Sequence, residues 1–422
     1  MDRSNVSWWV AAATFILVLG TALLVHADEL GKFLGHETDS YGYYQYLPAA
    51  FLGGDLLHLP WAVGLPNGNT LSLLSIGPAW LQMPFFWIGN IAAKVLGYPT
   101  TGFSEPYAVA QLLGVAMYVA LGMRMLYGAL GQFFDRTTVL CVLLIVLFGG
   151  NLYYYSSWEA CMSHSYAFFL FAWLFHLAIF IRYRPAAHQV LQLCTCGSLL
   201  VLVRPLHGFA LFLPLVYGLR TYQEVLARIG QLVRPVGWAI GGSLLAAGIL
   251  GSELAYWHAT TGHWLVFSYG QAGQGFDWSA PHLMNVLFSH QNGWFIYSPV
   301  MLPVMYFLLK AAKNEWDGAR MMLLVWGLTW YVYSSWWAWW LGAAYGFRGF
   351  TELLAWLALP IGWTVLHARA RKPWLRISAV AITCFLLLLN VRMTVIYRCC
   401  WDGPDWTWAR LISAWKEALW LI

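Results

Sequence analysis

Charged residues are scarce in this sequence of 422 residues. Lys, Arg, Asp and Glu together make up 10% of the chain, whereas hydrophobic residues make up 60%. A soluble domain carries about 25% charged residues, so this composition excludes a soluble enzyme, a disordered chain and a coiled coil. The net charge of +5 is small and scattered along the chain, which also excludes a nucleic-acid-binding protein.

Several sequence motifs are missing as well. The chain has seven cysteines but no CxxC pair and no His at zinc-binding spacing, which excludes a disulfide scaffold and a zinc module. Most of the cysteines lie in apolar runs, where Cys packs as a small hydrophobic residue. The sequence leaves open whether the adjacent Cys399 and Cys400 are oxidised. The phosphate-binding pattern GxxxxGK[ST] is absent, which disfavours a reaction driven by ATP or a nucleotide sugar.

Long apolar stretches and abundant tryptophan are what the sequence does contain. Its 27 Trp residues are typical of a protein with long perimeters at membrane–water interfaces. A membrane span needs about 20 mostly apolar residues. Eleven stretches are candidates: 8–26, 106–123, 138–157, 162–181, 188–203, 205–219, 236–256, 293–309, 321–339, 350–367 and 376–395. A further stretch, 71–96, contains Gly77, Pro78 and Pro84 and is predicted to form a helix in the membrane interface.

The predicted fold is therefore an all-α polytopic membrane protein with about eleven transmembrane helices (ten to thirteen) and interfacial helices in the first outer loop. If successive spans cross the membrane in alternating directions, most of the basic residues and few of the acidic ones lie on the same side as the N-terminus. By the positive-inside rule this side is cytoplasmic, and the C-terminus is outside. The long loops 27–105, 257–292 and 396–422 then lie outside. Because long loops usually carry function, the working face is predicted to be extracytoplasmic.

The first outer loop contains an acidic cluster beside aromatic residues. Glu37 and Asp39 precede a run that includes Tyr43 and Tyr44 and ends at Pro48. A carboxylate beside apolar rings suits a general base. The alternative interpretation is that these polar residues only solvate a loop.

Two further polar clusters belong to the same predicted face. Glu159 and His164 flank the junction of the third and fourth spans, and a His in this setting is either a ligand or a hydrogen-bonded structural residue. Arg204-Pro205 separates two short apolar runs. An Arg in the membrane is costly unless it is paired or functional, so an anionic ligand and a structural ion pair are both open.

The last clusters lie in the second half of the chain. Arg348 is the only cation in the Gly-rich turn 336–352, and it suits a phosphate through its planar fork of donors. Pairing with Glu352, four residues on, is the alternative. The loop 257–292, which includes His263 and Tyr269, combines aromatic faces with amide and hydroxyl groups. These groups suit sugar rings, but they also suit an interfacial loop.

Together these pieces resemble the GT-C superfamily of membrane glycosyltransferases, in particular the bacterial members that use polyprenyl-phosphate sugars and are related to the aminoarabinose and protein O-mannosyl transferases. The resemblance runs over most of residues 1–365. It is carried by Asp39-Ser40-Tyr41-Gly42-Tyr43-Tyr44, Tyr46-Leu47-Pro48-Ala49, Gly77-Pro78, Met162-Ser163-His164, Arg204-Pro205, Thr261-Gly262-His263-Trp264, Ser298-Pro299 and Tyr345-Gly346-Phe347-Arg348 with Glu352.

The resemblance implies a GT-C fold in the cell (inner) membrane, with an inverting transfer at an extracytoplasmic site. The donor would be a polyprenyl-phosphate sugar, and the acceptor a glycan, lipid or protein. Asp39 would be the base, and Arg348 and Arg204 would bind the donor phosphate. The other substrate-binding residues would be Glu37, Tyr43, Tyr44, Glu159, His164, His263, Tyr269 and Glu352.

Four regions are predicted: a GT-C-like membrane module at 1–256 with the first outer loop 27–105, a second outer loop at 257–292, C-terminal transmembrane helices at 293–395 and an outer amphipathic tail at 396–422. In the tail, one apolar side is predicted to be shared by Trp406, Trp408, Leu411, Ile412, Trp415, Leu419 and Trp420.

The sequence departs from the family at two positions. Gly77 stands before Pro78, where related transferases often carry a basic residue or a second acid. Thr38 separates Glu37 from Asp39, so the paired acids that would support a divalent cation are absent. We therefore expect no cofactor, and a divalent cation stays open as an alternative. Two alternatives remain, a flippase or transporter of polyprenyl-linked sugars and a non-catalytic sugar-lipid-binding protein.

Overall fold

A computed structural model describes residues 3–35, 38–182, 186–316 and 318–420. The helices of the first half are α1 (Arg3–Val25), α2 (Leu30–Phe33), α3 (Asp39–Tyr44), α4 (Tyr46–Phe51), α5 (Gly77–Leu96), α6 (Glu105–Leu130), α7 (Arg136–Phe148), α8 (Leu152–Ser157) and α9 (Ser163–Ile181). Two short strands, β1 (Val63–Gly64) and β2 (Thr70–Leu71), pair antiparallel within the first loop.

The helices of the second half are α10 (Ala187–Val203), α11 (Phe212–Val216), α12 (Tyr222–Val233), α13 (Val236–Thr261), α14 (Leu283–Phe288), α15 (Trp294–Tyr297), α16 (Met301–Lys313), α17 (Ala319–Ser334), α18 (Leu354–Arg369), α19 (Pro373–Ile396) and α20 (Trp408–Trp420). Turns of 3₁₀ helix cover Pro205–Leu211, Ser268–Ala272 and Arg348–Phe350. The described chain is thus mostly helical with almost no strand, which confirms the helical part of the expected fold.

Five helices within the described ranges are long and apolar enough to cross a membrane: Asn5–Val25 of α1, then α6, α9, α13 and α19. Helix α9 is almost wholly buried, whereas α1, α13 and α19 leave most of their side chains exposed. Large apolar residues such as Leu24, Leu244 and Ile377 project from these three helices. Apolar surface of this extent needs a lipid environment, so the chain has the character of a membrane protein.

The other predicted spans are shorter or broken in the structure. Stretch 138–157 divides into α7 and α8, and 293–309 divides into α15 and α16 around Ser298-Pro299. Stretch 205–219, one of the two short candidates on either side of Arg204-Pro205, forms a 3₁₀ turn followed by α11 and is not one continuous α-helix. Pro205 and Pro214 lack the N–H that an α-helix interior needs, which explains this geometry.

A buried amide supports the break between α7 and α8. Asn390 on α19 donates through Nδ2 to the carbonyls of Phe148 (2.8 Å) and Gly150 (2.6 Å). Its Oδ1 accepts from the hydroxyl of Tyr345 at 2.7 Å. Because carbonyls at a helix break in apolar surroundings need donors, this single side chain stabilises the interruption.

The segment between α11 and α13, expected as a cytoplasmic loop, contains the amphipathic helix α12. Glu224 and Thr221 form a capping box at its start. Tyr222, Leu226 and Val233 are spaced along one face and exposed. Such a face suits the surface of a bilayer.

The C-terminal tail contains the predicted amphipathic helix, although its buried face differs from the expected one. Ala414 and Ala418 are buried together with Leu411, whereas Ile412 and Leu419 are exposed. Small residues predominate on the buried side because they permit close packing against α19, the neighbouring helix. Before α20, Cys399 and Cys400 form a disulfide with each other.

The chain divides into two compact units, and each is described by itself. The first unit comprises Met1–Arg124, Tyr155–Leu215 and Leu219–Gly275. The second unit comprises Met125–Tyr154, Val216–Gly218 and Phe276–Ile422. The units interleave along the sequence, so the first half of the chain also contributes to the second unit.

Asp135 caps helix α7 in the second unit and pairs with α18. Its carboxylate accepts from the backbone N–H groups of Thr137 (3.0 Å) and Thr138 (3.1 Å) and from Arg369 Nη1 at 2.6 Å. Hydrogen bonds from Thr138, followed by the Arg369 guanidinium, lower the pKa of Asp135 to about 2.

Replacing Asp135 with Asn should lower the thermal unfolding midpoint at pH 7, because Asn retains a capping oxygen but loses the charge. In the unfolded chain the carboxyl pKa is about 3.9. The stabilisation is therefore complete above that pH, and it disappears as the pH falls through about 2. Since both side chains are roughly half exposed, the expected loss is at most about 1 kcal/mol.

The matched control for this prediction is Glu315→Gln, which removes an exposed ion pair with Arg320 but no helix cap. It should change the midpoint less than Asp135→Asn at pH 7. Equal midpoints for wild type and Asp135→Asn at pH 7 would contradict the assignment.

Candidate functional site

The first outer loop forms a short buried helix that begins at Asp39. The carboxyl group of Asp39 lies in the first turn of α3 and is half-buried. Ser40, Tyr43 and Tyr44 on the same helix are buried.

Helix α3 packs on the segment between α8 and α9. The hydroxyl of Ser40 donates to the carbonyl of Ala160 at 3.2 Å, and the hydroxyl of Tyr43 donates to Ser163 Oγ at 3.3 Å. Cys161 in this segment adopts a positive φ of 71°, and its carbonyl accepts from Gln82 Nε2 on α5 at 3.2 Å. These contacts bring the Asp39 loop to the start of α9.

Arg204 reaches the same point from the end of α10. Its Nη2 donates to Ser163 Oγ at 3.0 Å and lies 3.3 Å from His164 Nε2. Because a guanidinium only donates, this Nε2 must be the unprotonated nitrogen of the ring. His164 is fully buried, and its ring lies 4.8 Å from the ring of Tyr155. Three residues predicted from sequence, Tyr43, His164 and Arg204, therefore meet around Ser163.

The position of Arg204 depends on a close contact between α10 and α5. A Cβ on Gly77 would lie 2.5 Å from the backbone nitrogen of Val203, the residue before Arg204. Ser75 Oγ also donates to the Val203 carbonyl at 3.1 Å. The glycine at position 77, before Pro78, therefore has a steric reason.

Glu253, on the membrane helix α13, binds the backbone at the start of α5. Its Oε2 accepts from the backbone N–H of Ile76 at 2.7 Å, and the side chain is only 5% exposed. Ile249, Glu253, Tyr256 and Thr260 are spaced by four, three and four residues and form the buried stripe of an otherwise exposed helix. The Tyr256 hydroxyl accepts from the N–H of Ser72 at 2.9 Å.

The hairpin of β1 and β2, which belongs to the first loop, binds the C-terminal end of α13. The side-chain amides of Asn67 and Asn69 both donate to the carbonyl of Thr260, at 2.8 and 2.9 Å. This carbonyl is in the last turn of α13, where backbone acceptors lack helical partners. The first loop is thus fixed along about two turns of the helix from Glu253 to Thr260.

The remaining predicted residues of the first unit are distributed around this centre. The Tyr44 hydroxyl donates to the Gly102 carbonyl at 2.5 Å, and burial raises the pKa of this phenol well above 10.0, so it remains neutral. Glu159 is half-buried in the segment that α3 contacts, and Tyr269 is half-buried in a 3₁₀ turn. His263 is exposed beyond the end of α13. Glu37 lies outside the described residues.

Arg348 and Glu352 belong to the second unit. Arg348 is half-buried in a 3₁₀ turn, and its carbonyl accepts from the hydroxyl of Thr351 at 2.9 Å. Thr351 also donates to Asn151 Oδ1 at 2.8 Å, and Glu352 is 1% exposed.

Sequence reasoning missed two residues of this site. Ser163 was present in the motif with His164 but was assigned no role, because its two partners are 120 and 41 positions away in the chain. Glu253 lies inside the predicted span 236–256, and an acidic residue in a span is a signal in its own right. Among the described residues, no three His, Cys, Asp or Glu side chains gather as a metal site would require.

Glu253→Gln should leave the stability close to that of the wild type, because Gln keeps a side-chain oxygen that accepts from the Ile76 N–H. Glu253→Ala should lower the free energy of unfolding by about 1–3 kcal/mol, since this N–H then lacks an acceptor. Leu244→Ala, on the exposed face of the same helix, is the matched control. Thermal unfolding in nanodiscs measures all three. An equal loss in Glu253→Gln and Glu253→Ala would mean that the charge itself is required.

Comparison with known proteins identifies no relative of this chain. No protein-family model, no curated protein and no solved structure matches it. The likeness to GT-C transferases consequently depends on the residue pattern alone.

Proposed function

We propose that this protein is an inverting glycosyltransferase of the GT-C type that moves a sugar from a polyprenyl-phosphate donor to an extracytoplasmic glycan, lipid or protein. The observation that carries the proposal is the junction at Ser163. There the Arg204 guanidinium and the Tyr43 phenol both donate to the hydroxyl of Ser163, beside His164. Tyr43 lies on α3, the helix that begins with Asp39. A carboxylate and a guanidinium on neighbouring elements are the two groups that this reaction requires.

The chemistry of a sugar phosphate explains why two groups suffice. The phosphate is a stable leaving group, so it needs charge stabilisation rather than a strong general acid. The acceptor hydroxyl, by contrast, needs a base at the moment of attack. A guanidinium supplies the first requirement through its planar donors, and a carboxylate supplies the second.

In the proposed reaction, Asp39 takes the proton of the acceptor hydroxyl. The acceptor oxygen forms a bond to the anomeric carbon, while the bond from that carbon to the phosphate oxygen breaks and its electron pair leaves with the phosphate. Attack from the side opposite the phosphate inverts the anomeric centre. Arg204 stabilises the phosphate charge, and Arg348 is proposed as a second phosphate-binding cation.

The membrane placement is part of the proposal. Eleven spans, a cytoplasmic N-terminus and an extracytoplasmic C-terminus put Asp39, His164 and Arg204 at the outer boundary of the inner membrane. A polyprenyl donor has its phosphate at this depth. Glu37, Tyr44, Glu159, His263, Tyr269 and Glu352 are proposed to contact the substrates.

A flippase or transporter for sugar lipids is the second candidate, and Glu253 is the observation that favours it. Transporters place ionisable residues inside membrane spans, and Glu253 is buried in α13. Its hydrogen bond to the Ile76 backbone gives it a structural role instead. Sugar transfer by the purified protein would separate the two functions.

Asp39→Asn should reduce sugar transfer by about 10²–10⁴-fold, because Asn cannot accept the proton of the acceptor hydroxyl. Transfer is measured with protein in nanodiscs, radiolabelled polyprenyl-phosphate sugars supplied one sugar at a time, and an envelope extract as acceptor. Donor binding, measured by co-purification of the radiolabel, should stay near the wild-type level.

The matched control is Asp55→Asn, which alters an exposed carboxylate of the same loop that pairs with His58. It should transfer at the wild-type rate. Full turnover by Asp39→Asn would contradict the assignment of Asp39 as the base. A wild-type protein that transfers no sugar but still moves the labelled lipid across the bilayer would favour the transporter.

Arg204→Gln should raise the apparent KM for the donor by about 10–100-fold and leave the acceptor KM nearly unchanged, because charged hydrogen bonds to phosphate contribute about 1.5–3 kcal/mol. Arg220→Gln, at an exposed position outside this site, is the control. An equal increase in the KM of both substrates would indicate a general structural defect.

A double-mutant cycle with Arg348→Gln tests whether both cations bind one phosphate. Residues that share a partner show non-additive effects, whereas independent residues add within about 0.5 kcal/mol. Additive increases in donor KM would place Arg348 outside the phosphate site.

A further inference from the structure

The second unit contains an open cavity that the proposed reaction does not use. It has a volume of about 420 Å³ and lies between α14, the segment that follows it, Trp339 and the first residue of α20. Ligand pockets are typically about 300–1,000 Å³, so the cavity has the size of a small-molecule site. Its lining includes Asn285, Phe288, His290, Gln291, Trp339 and Trp408.

Aromatic rings form the apolar part of the cavity wall. Trp408 is 45% exposed and Phe288 is 40% exposed, so their surfaces are only partly covered by protein. The Trp408 ring lies 5.3 Å from the ring of His290, and the Trp339 ring lies 5.5 Å from that of His282. These neighbours restrict the orientation of both indoles.

Amide and hydroxyl groups form the polar part of the wall. Gln291 donates through Nε2 to the Gly403 carbonyl at 3.0 Å, which fixes the orientation of its amide. The exposed amide of Asn285 lies 3.4 Å from His282 Nδ1. Ser289 also lines the cavity, and its hydroxyl accepts from the Gln291 N–H at 3.0 Å.

The backbone beneath the cavity is held from two sides. The carbonyl of His290 accepts from the Tyr297 hydroxyl at 2.8 Å and from Trp406 Nε1 at 3.1 Å. The Trp406 ring in turn stacks on Trp401, with centroids 4.8 Å apart. Since a preformed site loses less entropy on binding, this support favours recognition of a specific ligand.

The chemistry of the lining defines the ligand class. Among the residues that the structure describes, no Lys, Arg, Asp or Glu lines the cavity, so it offers no formal charge to neutralise a phosphate or a carboxylate. Aromatic faces cover the C–H face of a ring, while amide, hydroxyl and imidazole groups both donate and accept hydrogen bonds. A pyranose presents both kinds of surface, whereas a lipid chain would place only apolar groups against the polar side chains of Asn285, Ser289, His290 and Gln291.

We propose that this cavity binds the pyranose ring of a neutral saccharide. Its further assignment, as the site for the glycan acceptor, rests on the proposed transferase function. Binding of the saccharide itself does not depend on catalysis, so the two statements can fail separately.

The test uses the methyl glycosides of glucose, galactose, mannose and N-acetylglucosamine as probes. The full-length protein is placed in nanodiscs, because alkyl glucoside and maltoside detergents carry a competing sugar. Saturation-transfer NMR detects binding, and titration of tryptophan fluorescence gives the Kd. At least one glycoside should bind saturably to the wild type.

Trp408→Ala and Asn285→Ala should each weaken this binding by about tenfold, the effect expected for losing one aromatic stacking contact or one hydrogen bond. The matched control is Trp420→Ala, on the same helix as Trp408 but 89% exposed and outside the cavity. It should retain the wild-type Kd. Asn285→Ala changes an exposed side chain, so it preserves the test if Trp408→Ala does not fold.

The absence of saturable binding by all four glycosides would overturn the proposal, as would an unchanged Kd in both Trp408→Ala and Asn285→Ala. If no glycoside binds, and brominated lipid quenches the fluorescence of Trp408→Ala measurably less than that of the wild type, the cavity contacts lipid instead. Glycoside binding by a protein that transfers no sugar would retain the saccharide site and reject its role as an acceptor site.

Discussion

The hydrogen bond from the Ile76 N–H to the Glu253 carboxylate is the contact on which the arrangement of the first unit depends. Helix α13 is mostly exposed, and its buried stripe of Ile249, Glu253, Tyr256 and Thr260 faces the loop beside it. The buried carboxylate helps to fix the rotation of the helix, since only one face of α13 brings it to the Ile76 N–H. The start of α5 contacts the end of α10 at Gly77, and this contact fixes the backbone that leads to Arg204.

The same constraint recurs wherever the chain leaves helical geometry in apolar surroundings. At the break after α7, Asn390 supplies the donors for two carbonyls. At the end of α13, two asparagine amides bind the Thr260 carbonyl. In each case a polar side chain from a distant part of the sequence replaces the hydrogen bond that the helix would have made, and irregular backbone becomes tolerable. Such places are also where side chains can be aimed at a ligand, as at Ser163.

Chemistry in this protein is divided between two compact units of different character. The first unit offers a carboxylate, a guanidinium and a buried imidazole, which are suited to an ionic leaving group. The second unit offers Arg348 and also a cavity without charged lining residues, which is suited to a neutral ring. A transferase needs both kinds of recognition, because its donor is a phosphate ester and its acceptor is a hydroxyl compound.

The sequence by itself determined the helical class, the membrane character and the local helix signals. These follow from apolar stretches, scarce charge and caps such as Asp135, all of which act between near neighbours in the chain. It also singled out Tyr43, His164 and Arg204 as separate candidates. Only the tertiary structure decided that they meet at Ser163, that Glu253 binds a backbone N–H on another element, and that Trp339 and Trp408 line one cavity. Those contacts join residues far apart in sequence, and no local pattern or periodicity encodes which distant partner satisfies a buried polar group.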